Sequence, residues 1–232
     1  MSKIEWTDKV WNAVTGCDKI SPGCKNCYAK SFSSRLMHIP KYSNVFELTM
    51  HEELLCLPSK WKKPQKIFVN SMSDLFHPKV TDDFIYKTFQ VMNAEKRHTF
   101  QILTKRPERL LEMNKDLQWA DNIWMGVTVE NNDYVHRIEL LKQTDAHIKF
   151  ISFEPLLGPI KDLHLEGINQ VILGGETGNR ARQMEKEWVL PIRDYCIGMN
   201  IPFFFKKMGG KGEDKKDNQL DGKIYHEFPN IK

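Results

Sequence analysis

The sequence predicts an α/β fold, a parallel (β/α) barrel or partial barrel of about six to seven strands. Short apolar runs rich in Val, Ile and Phe recur along the chain, amphipathic helical patterns separate them, and polar residues follow almost every run. The chain has 232 residues, of which 41% are hydrophobic, so it can bury a sizeable core in one domain. It is short for a complete eight-fold barrel, which typically needs about 250 residues.

Seven apolar runs are expected to form the parallel strands. The first leads directly into a cysteine-rich segment, and the others alternate with helical patterns. In chain order, the predicted strands are residues 10–15, 67–71, 100–104, 123–129, 148–153, 170–174 and 201–205.

Four helices are expected between these strands. Thr81 has the character of a capping residue for the first helix, and Pro107 suits the first turn of the second. Pro191 is expected to kink or divide the last helix, because proline lacks an amide donor. The predicted helices begin at residue 81 and otherwise span residues 107–117, 131–143 and 183–199.

The domain organisation follows from where this alternation stops. Residues 1–208 are expected to form the partial-barrel domain, with an inserted excursion at about residues 40–64. Residues 209–232 form a polar C-terminal tail that is expected to be mobile at its start. Within the tail, Tyr225 to Phe228 are expected to dock back as a sheet edge.

The net charge and the cysteine content indicate which cellular compartment and which binding partners to expect. The net charge is +4, from 34 basic and 30 acidic residues, which permits a phosphate or nucleic-acid partner without requiring one. No secretory leader and no apolar run of about 18 residues is present, so a reducing cytoplasm and no membrane partner are expected. In that compartment, clustered cysteines indicate metal ligands rather than disulfides.

Three of the five cysteines, Cys17, Cys24 and Cys27, lie in one short loop after the first predicted strand. The turn-forming residues Ser21-Pro22-Gly23 between them can direct the sulfurs to a common point. Three thiolates are one short of a closed four-sulfur site, so a bound metal would keep an open position. The other two, Cys56 and Cys196, lie in apolar contexts and are expected to be buried small hydrophobes.

Polar residues cluster just after the predicted strands, where parallel barrels place their active sites. Each has a plainer interpretation as well: Ser73 and Asp74 as turn residues, the glycine pair 174–175 as a tight turn, and Glu130 as a helix N-terminal acid. In strand order, the residues are Asn70, Ser71, Ser73 and Asp74; Thr104, Lys105 and Arg106; Thr128 and Glu130; Ser152 and Glu154; Gly174, Gly175 and Glu176; and Lys206 and Lys207.

The cysteine loop and these strand ends resemble those of the radical S-adenosylmethionine enzymes. More specifically, nearly the whole chain resembles an uncharacterised phage-associated family, with a distant similarity to spore photoproduct lyase. The motifs that carry the closer resemblance are Trp11-Asn12, Gly16-Cys17, Ser21-Pro-Gly-Cys24, Asn26-Cys-Tyr-Ala29, Ile151-Ser-Phe-Glu-Pro-Leu-Leu157 and Gly174-Gly-Glu176.

Three departures from the common radical-enzyme pattern accompany this resemblance. The cysteines are spaced C-x6-C-x2-C instead of C-x3-C-x2-C, and Asn26 replaces the customary aromatic residue before the last cysteine. The Gly-Gly-Glu element follows the sixth predicted strand instead of the second, where Ser71-Met-Ser-Asp74 stands.

The resemblance implies a set of cofactors and residue roles. Cys17, Cys24 and Cys27 would hold a 4Fe-4S cluster whose open iron binds S-adenosylmethionine, and an electron donor would reduce it. The implied S-adenosylmethionine contacts are Ser71, Ser73 and Asp74 at the methionine end, with Gly174, Gly175 and Thr128. Lys105, Glu154 and Glu176 are the candidate catalytic residues. Together with Arg180 they are expected on the substrate side, where mixed charges suit a polar or phosphorylated substrate such as a nucleotide or nucleic acid. The plainer interpretation pairs Glu154 with Arg180, or Glu176 with Lys105.

Two other functions remain open at this point. A zinc-binding protein would use the three cysteines with His38, His51 or His77 as fourth ligand. A nucleic-acid-binding phage accessory protein without catalysis would use three basic segments, residues 60–63, 206–207 and 215–216. The substrate and the reaction type are not readable from the sequence.

Overall fold

The computed structural model describes residues 4–36, 38–39, 44, 46–211 and 216–230. Its centre is a curled seven-stranded sheet in which every strand pairs in parallel with its neighbour in chain order, which makes an open half-barrel. The predicted fold class is therefore confirmed. The strands are β1 (Lys9–Trp11), β4 (Lys66–Val69), β5 (Thr99–Thr104), β6 (Ile123–Thr128), β7 (Ile148–Phe153), β8 (Gln170–Leu173) and β9 (Phe203–Phe205).

Two short antiparallel ribbons accompany the sheet. One pairs β2 (Val14–Thr15) with β3 (Thr49–Met50), and the other pairs β10 (Gln219–Leu220) with β11 (Lys223–Ile224). The helices are α1 (Tyr28–Arg35), α2 (Asp82–Ala94), α3 (Pro107–Met113), α4 (His136–Lys142) and α5 (Lys186–Gly198). Within the described residues, no helix is long and apolar enough to cross a membrane.

The strands are apolar on both sides because both faces of the sheet are covered. Residues such as Ile102 and Val127 on the outer face belong to the main core, which the helices complete. Alternate residues belong to a second, smaller cluster on the concave face: Trp6, Phe68, Trp124, Phe150, Ile172 and Phe204. Gly126 makes room for this cluster, since a Cβ there would meet the Phe150 ring.

The helices lie where they were predicted, but their first and last residues differ from the predicted ones. The Thr81 side chain accepts a hydrogen bond from the Phe84 amide and caps α2 as expected. Helix α4 begins later than predicted, because Asn131 caps a separate 3₁₀ turn first. Pro191 was expected to kink or divide the last helix, and it does not divide it, because it lies inside the single helix α5.

The first predicted strand, residues 10–15, is interrupted. Only β1 belongs to the sheet, and β2 leaves it to pair with β3 of the excursion. The Val14 amide donates to Asn70 Oδ1 (2.9 Å) instead of continuing the parallel ladder. The excursion therefore packs on the barrel, with the Trp11 Nε1–H donating to the Leu54 carbonyl (2.8 Å). Its residues 40–43 and 45 lie outside the described part of the chain.

The end of the chain returns to the sheet edge as predicted. The Phe205 amide donates to the Tyr225 carbonyl (2.8 Å), and Phe204 and His226 form an antiparallel bridge. Leu220 and Tyr225 are buried in the main core. This return covers the free edge of β9.

Candidate functional site

A cavity of about 250 Å³ opens at the carboxyl ends of the parallel strands, beneath the cysteine loop. Nearly all of the residues singled out from the sequence line it: Cys17, Cys24, Cys27, Ser71, Ser73, Asp74, Lys105, Thr128, Glu154, Gly175 and Glu176. Gly174 lies beside it, since a Cβ there would stand 3.1 Å from Glu154 Oε1. Arg180, expected among them, is exposed on the surface. Parallel strand order thus brings residues that are far apart in sequence to one mouth.

Side chains from several strand ends hold the cysteine loop across this mouth. Ser21 donates to Glu130 (2.5 Å), which follows β6, and Asn26 donates to Glu176 (2.9 Å), which follows β8. The Tyr28 hydroxyl donates to the Ser71 carbonyl (2.7 Å) after β4. The loop is therefore fixed at both sides of the half-barrel.

Glu130 is a central residue of the site whose importance the sequence did not indicate. It is fully buried and forms ion pairs with Lys105 (3.0 Å) and Arg137 (3.0 Å). Gly23 of the cysteine loop packs directly on it, because a Cβ there would be 2.6 Å from Glu130 Oε1. Its place directly after a buried strand was the available signal, but a helix N-terminal acid has the same pattern.

Arg106 is a second residue whose importance sequence reasoning missed. Its guanidinium donates to Asp74 Oδ2 (2.9 Å) and to the Asp18 carbonyl (3.3 Å), and it lies 3.7 Å from Cys17 Sγ. It sits one position beyond Lys105, on which the sequence argument concentrated. The structure therefore places a buried cation against the first cysteine.

The three cysteines have different electrostatic surroundings. Burial, and then the Asp74 charge, raise the pKa of Cys17 to about 11 despite Arg106. Burial acts to raise the pKa of Cys24 as well, but backbone hydrogen bonds at Ile20 and Ser21 and the Lys105 charge lower it below its ordinary value. Cys27 is the N-cap residue of α1.

Asp74 is saturated by protein donors. It accepts hydrogen bonds from the side chains of Thr104 (2.7 Å) and Arg106 (2.9 Å) and from the backbone amides of Phe76 (3.0 Å) and Lys105 (3.0 Å). A carboxylate with four donors organises its neighbours and has little capacity left for a ligand. The geometry therefore favours positioning of Arg106 over direct contact with S-adenosylmethionine.

The serines and the threonine of the predicted cofactor side also make protein contacts. Ser73 donates to the Gly16 carbonyl (2.6 Å), and Ser71 donates to Asn12 Oδ1 (3.2 Å). The Thr128 carbonyl accepts from Arg137 (2.8 Å), while the residue itself lines the cavity. Each serine hydroxyl can still accept a hydrogen bond from a ligand.

The charged residues of the substrate side are paired, but not with the expected partners. Lys105 pairs with Glu130 (3.0 Å) and Glu154 pairs with Lys206 (2.9 Å). Glu176 accepts two hydrogen bonds from the Arg182 guanidinium (2.6 and 3.0 Å). The pairs of the plainer interpretation, Glu154–Arg180 and Glu176–Lys105, are not the ones observed, because Lys206, directly after β9, contacts Glu154 and the loop after β8 turns Arg182 towards Glu176.

The three cysteines of the loop are free thiols, and all three line the cavity. Among the described residues, no group of three or more His, Cys, Asp or Glu is arranged to hold a metal ion.

The histidines proposed as zinc ligands make other contacts. His77 bonds Asp18 through Nε2 (3.1 Å) and accepts from the Lys79 amide through Nδ1 (3.1 Å). His51 bonds Thr15 (2.8 Å) and lies near Glu53, while His38 is exposed. Both ring nitrogens of His77 are therefore engaged in these contacts.

The remaining two cysteines differ from each other. Cys196 is buried in the main core as expected, and burial raises the pKa of its thiol to about 12. Cys56 is exposed, so its predicted burial was wrong. The excursion turns it outward, because its apolar neighbour Leu55 takes the core position instead.

In the comparison with protein families, a family model matches residues 1–229. The matched family model is described as a protein of unknown function, DUF5131. Comparisons with curated proteins and with solved structures give no match. Since the family model spans almost the whole length, this chain belongs to the DUF5131 family.

Proposed function

We propose that the protein is a radical S-adenosylmethionine-type enzyme that acts on a polar substrate. The observation that carries the proposal is the position of the cysteine loop. Three free cysteines on one loop lie over a cavity at the carboxyl end of a parallel half-barrel. Enzymes with parallel (β/α) barrels have their active sites at this end of the strands.

The donor set fits an iron-sulfur cluster with one open iron. Three thiolates would be provided by Cys17, Cys24 and Cys27, and the charges of Lys105 and Arg106 would offset part of the cluster's negative charge. When bound, the cluster would supply the electron that cleaves S-adenosylmethionine to a 5′-deoxyadenosyl radical.

In this proposal, the protein's own residues position the cysteines, present charges to the cavity and exclude water. Arg106, held by Asp74, positions Cys17, and Glu130 positions the middle of the cysteine loop through Ser21. The Lys206–Glu154 pair presents fixed charges to the cavity. Aromatic residues of the concave face close the floor and keep solvent from the reacting centre.

The decisive experiment is anaerobic reconstitution with iron and sulfide, followed by reduction in the presence of S-adenosylmethionine. We expect a brown protein with about four irons per chain, and release of 5′-deoxyadenosine. A protein that takes up no iron but binds one zinc would overturn the proposal.

Single alanine substitutions test the ligand assignment. Cys17→Ala, Cys24→Ala and Cys27→Ala should each abolish the visible absorbance of the cluster, because each removes one iron ligand. Cys56→Ala and Cys196→Ala are matched controls and should retain it. Full iron content in Cys24→Ala would contradict the assignment.

A further inference from the structure

The cavity floor contains two buried hydrogen-bond donors without a partner. Trp6 and Asn70 both line the cavity and are each only 2% exposed. Among the described residues, neither Trp6 Nε1 nor Asn70 Nδ2 has a hydrogen-bond partner. Leaving a buried donor unpaired is costly, so both sites favour a bound acceptor.

The amide orientation of Asn70 is fixed by the backbone. Its Oδ1 accepts from the Val14 amide (2.9 Å), so its Nδ2 is the group left without a partner. Asn70 also has a φ of 58°, a conformation that asparagine tolerates better than most residues. The donor is therefore held rigidly by the turn after β4.

Several apolar side chains line the cavity together with these donors. The Trp6 ring lies 4.7 Å from the Phe68 ring, between centroids, and Leu103, Met72 and Phe46 also line the cavity. An aromatic floor with N–H donors matches a heteroaromatic ring that carries carbonyl oxygens or unprotonated ring nitrogens. Nucleobases have this chemistry, and they stack on aromatic side chains.

A second cleft of about 420 Å³ adjoins the first, and Thr177 lines both. Its lining includes Lys207, Lys211 and Lys216, and none of its described lining residues is acidic. Lys207 is paired with Glu5 (2.9 Å), whereas Lys211 and Lys216 are exposed.

Two glycines, Gly209 and Gly210, also line this cleft. Gly209 and Gly210 both have positive φ, and the Gly210 amide donates to the Glu176 carbonyl (2.7 Å). A Cβ at either glycine would meet the Glu176 carbonyl or the Gln183 side chain, so the glycines let the backbone pack closely there, and the lysines are the groups available to a phosphate.

We propose that the substrate is a nucleotide within a nucleic-acid strand, with its base on the Trp6–Asn70 floor and its phosphates in the lysine cleft. This inference rests on the proposed function for its chemistry, but its binding claims can be measured separately. Reaching such a pocket requires a base that is unstacked or already single-stranded.

The phosphate half is tested by single-stranded oligonucleotide binding to the reconstituted protein at several salt concentrations. Lys211→Ala/Lys216→Ala should weaken binding and make the salt slope shallower by about 1.4, for two phosphate contacts. The matched control is Lys96→Ala/Lys161→Ala, which removes the same charge at exposed positions outside both cavities and outside the three basic segments. Equal losses in both double variants would show non-specific attraction and overturn this half.

The base half is tested with Trp6→Phe and Asn70→Asp. Trp6→Phe keeps an aromatic ring and removes the donor, while Asn70→Asp keeps the acceptor for Val14 and replaces the donor by an oxygen. Each should weaken oligonucleotide binding by about tenfold and change the preference among bases. A melting temperature near that of wild type would establish that a variant folds. If one variant melts at a much lower temperature, the conclusion is drawn from the other variant.

The remaining outcomes separate the alternatives. Unchanged oligonucleotide binding in both folded variants would mean that ordered water alone occupies the donors, and would overturn the base assignment. If the Trp6 and Asn70 variants weaken S-adenosylmethionine binding instead of oligonucleotide binding, the floor holds the base of the cofactor, and this result also overturns the assignment. A protein that binds oligonucleotide in the expected pattern but contains no iron would refute the radical chemistry and leave this inference standing.

Discussion

At the scale of single residues, the site consists of buried charges that hold one another in place. Asp74 and Arg106 are both largely buried and form a direct ion pair (2.9 Å). Buried charges are tolerated when they are paired and hydrogen-bonded, and removing one partner leaves the other uncompensated. The site's charged residues are therefore part of its architecture as well as candidates for its chemistry.

Asp74→Ala tests this view. We expect it to lower the free energy of unfolding by about 3–5 kcal/mol, because Arg106 loses its buried partner. Denaturant unfolding measures the effect, with Asp116→Ala, at an exposed position, as the control that should change stability by less than about 0.5 kcal/mol. A small effect at Asp74 together with lost S-adenosylmethionine binding would instead favour the direct-contact role.

At the scale of elements, the cysteine loop depends on close contact with the end of β6. Gly23 approaches Glu130 so closely that an added Cβ would have to displace its carboxylate. That carboxylate also accepts from Ser21 and pairs with two cations. The position of the loop therefore depends on a glycine that lies between two of the cysteines.

Gly23→Ala should consequently reduce cluster incorporation more than it reduces stability. The added methyl group moves the loop away from Glu130, whereas the main core is distant from the change. Iron per chain after reconstitution is the measurement. Gly198→Ala in α5 is the control, because a Cβ there meets nothing within 4 Å. Equal iron contents in the two variants would contradict the expected role of this contact.

The loop after β8 is held by a carboxylate whose protonation affects stability. Burial acts to raise the pKa of Glu176, but hydrogen bonds from Arg182 and Asn26 hold it below its ordinary value. The unfolded chain therefore binds more protons than the folded chain at moderately acidic pH. The contribution of Glu176 is present above the ordinary carboxyl pKa of 4.5 and is lost as the pH falls through the lower folded value.

Glu176→Gln should therefore flatten the decline in melting temperature as the pH falls below about 4.5. Thermal unfolding between neutral and acidic pH measures it. Glu112→Gln, at an exposed position on α3, is expected to leave the wild-type decline unchanged. A Glu176→Gln profile as steep as that of wild type would show that this ion pair does not couple protons to folding.

At the scale of the whole molecule, an open half-barrel must protect its last strand. The C-terminal segment does so by pairing with β9 and burying Tyr225 against Phe203, with ring centroids 5.7 Å apart. An uncovered strand edge would offer unpaired backbone groups to other chains. The tail is therefore a structural part of the barrel domain.

Tyr225→Ala should lower the free energy of unfolding by about 3 kcal/mol, because it empties a buried aromatic site beside the edge strand. The neighbouring Ile224→Ala is the control, since Ile224 is half exposed and should change stability by less than about 0.5 kcal/mol. Chemical denaturation compares the two. Similar values would indicate that the tail adds little to the fold.

The sequence by itself determined the fold class, the order of the seven strands and the loop on which the three cysteines lie. Strand and helix periodicities are local, and parallel strands in chain order bring their carboxyl ends to one mouth without further information. Ser71, Lys105, Glu154 and Gly175 could therefore be placed at one cavity from their positions after strands.

Only the tertiary structure decided which of these groups pair. Lys105 pairs with Glu130 and Glu176 pairs with Arg182, whereas Arg180, two positions away, is exposed. Partner choice depends on the curl of the sheet and on loop conformation, which set distances between residues far apart in sequence. The side-chain donors of Trp6 and Asn70, which have no partner in the described part of the chain, cannot be identified from the sequence for the same reason, because burial and hydrogen bonding are set in three dimensions.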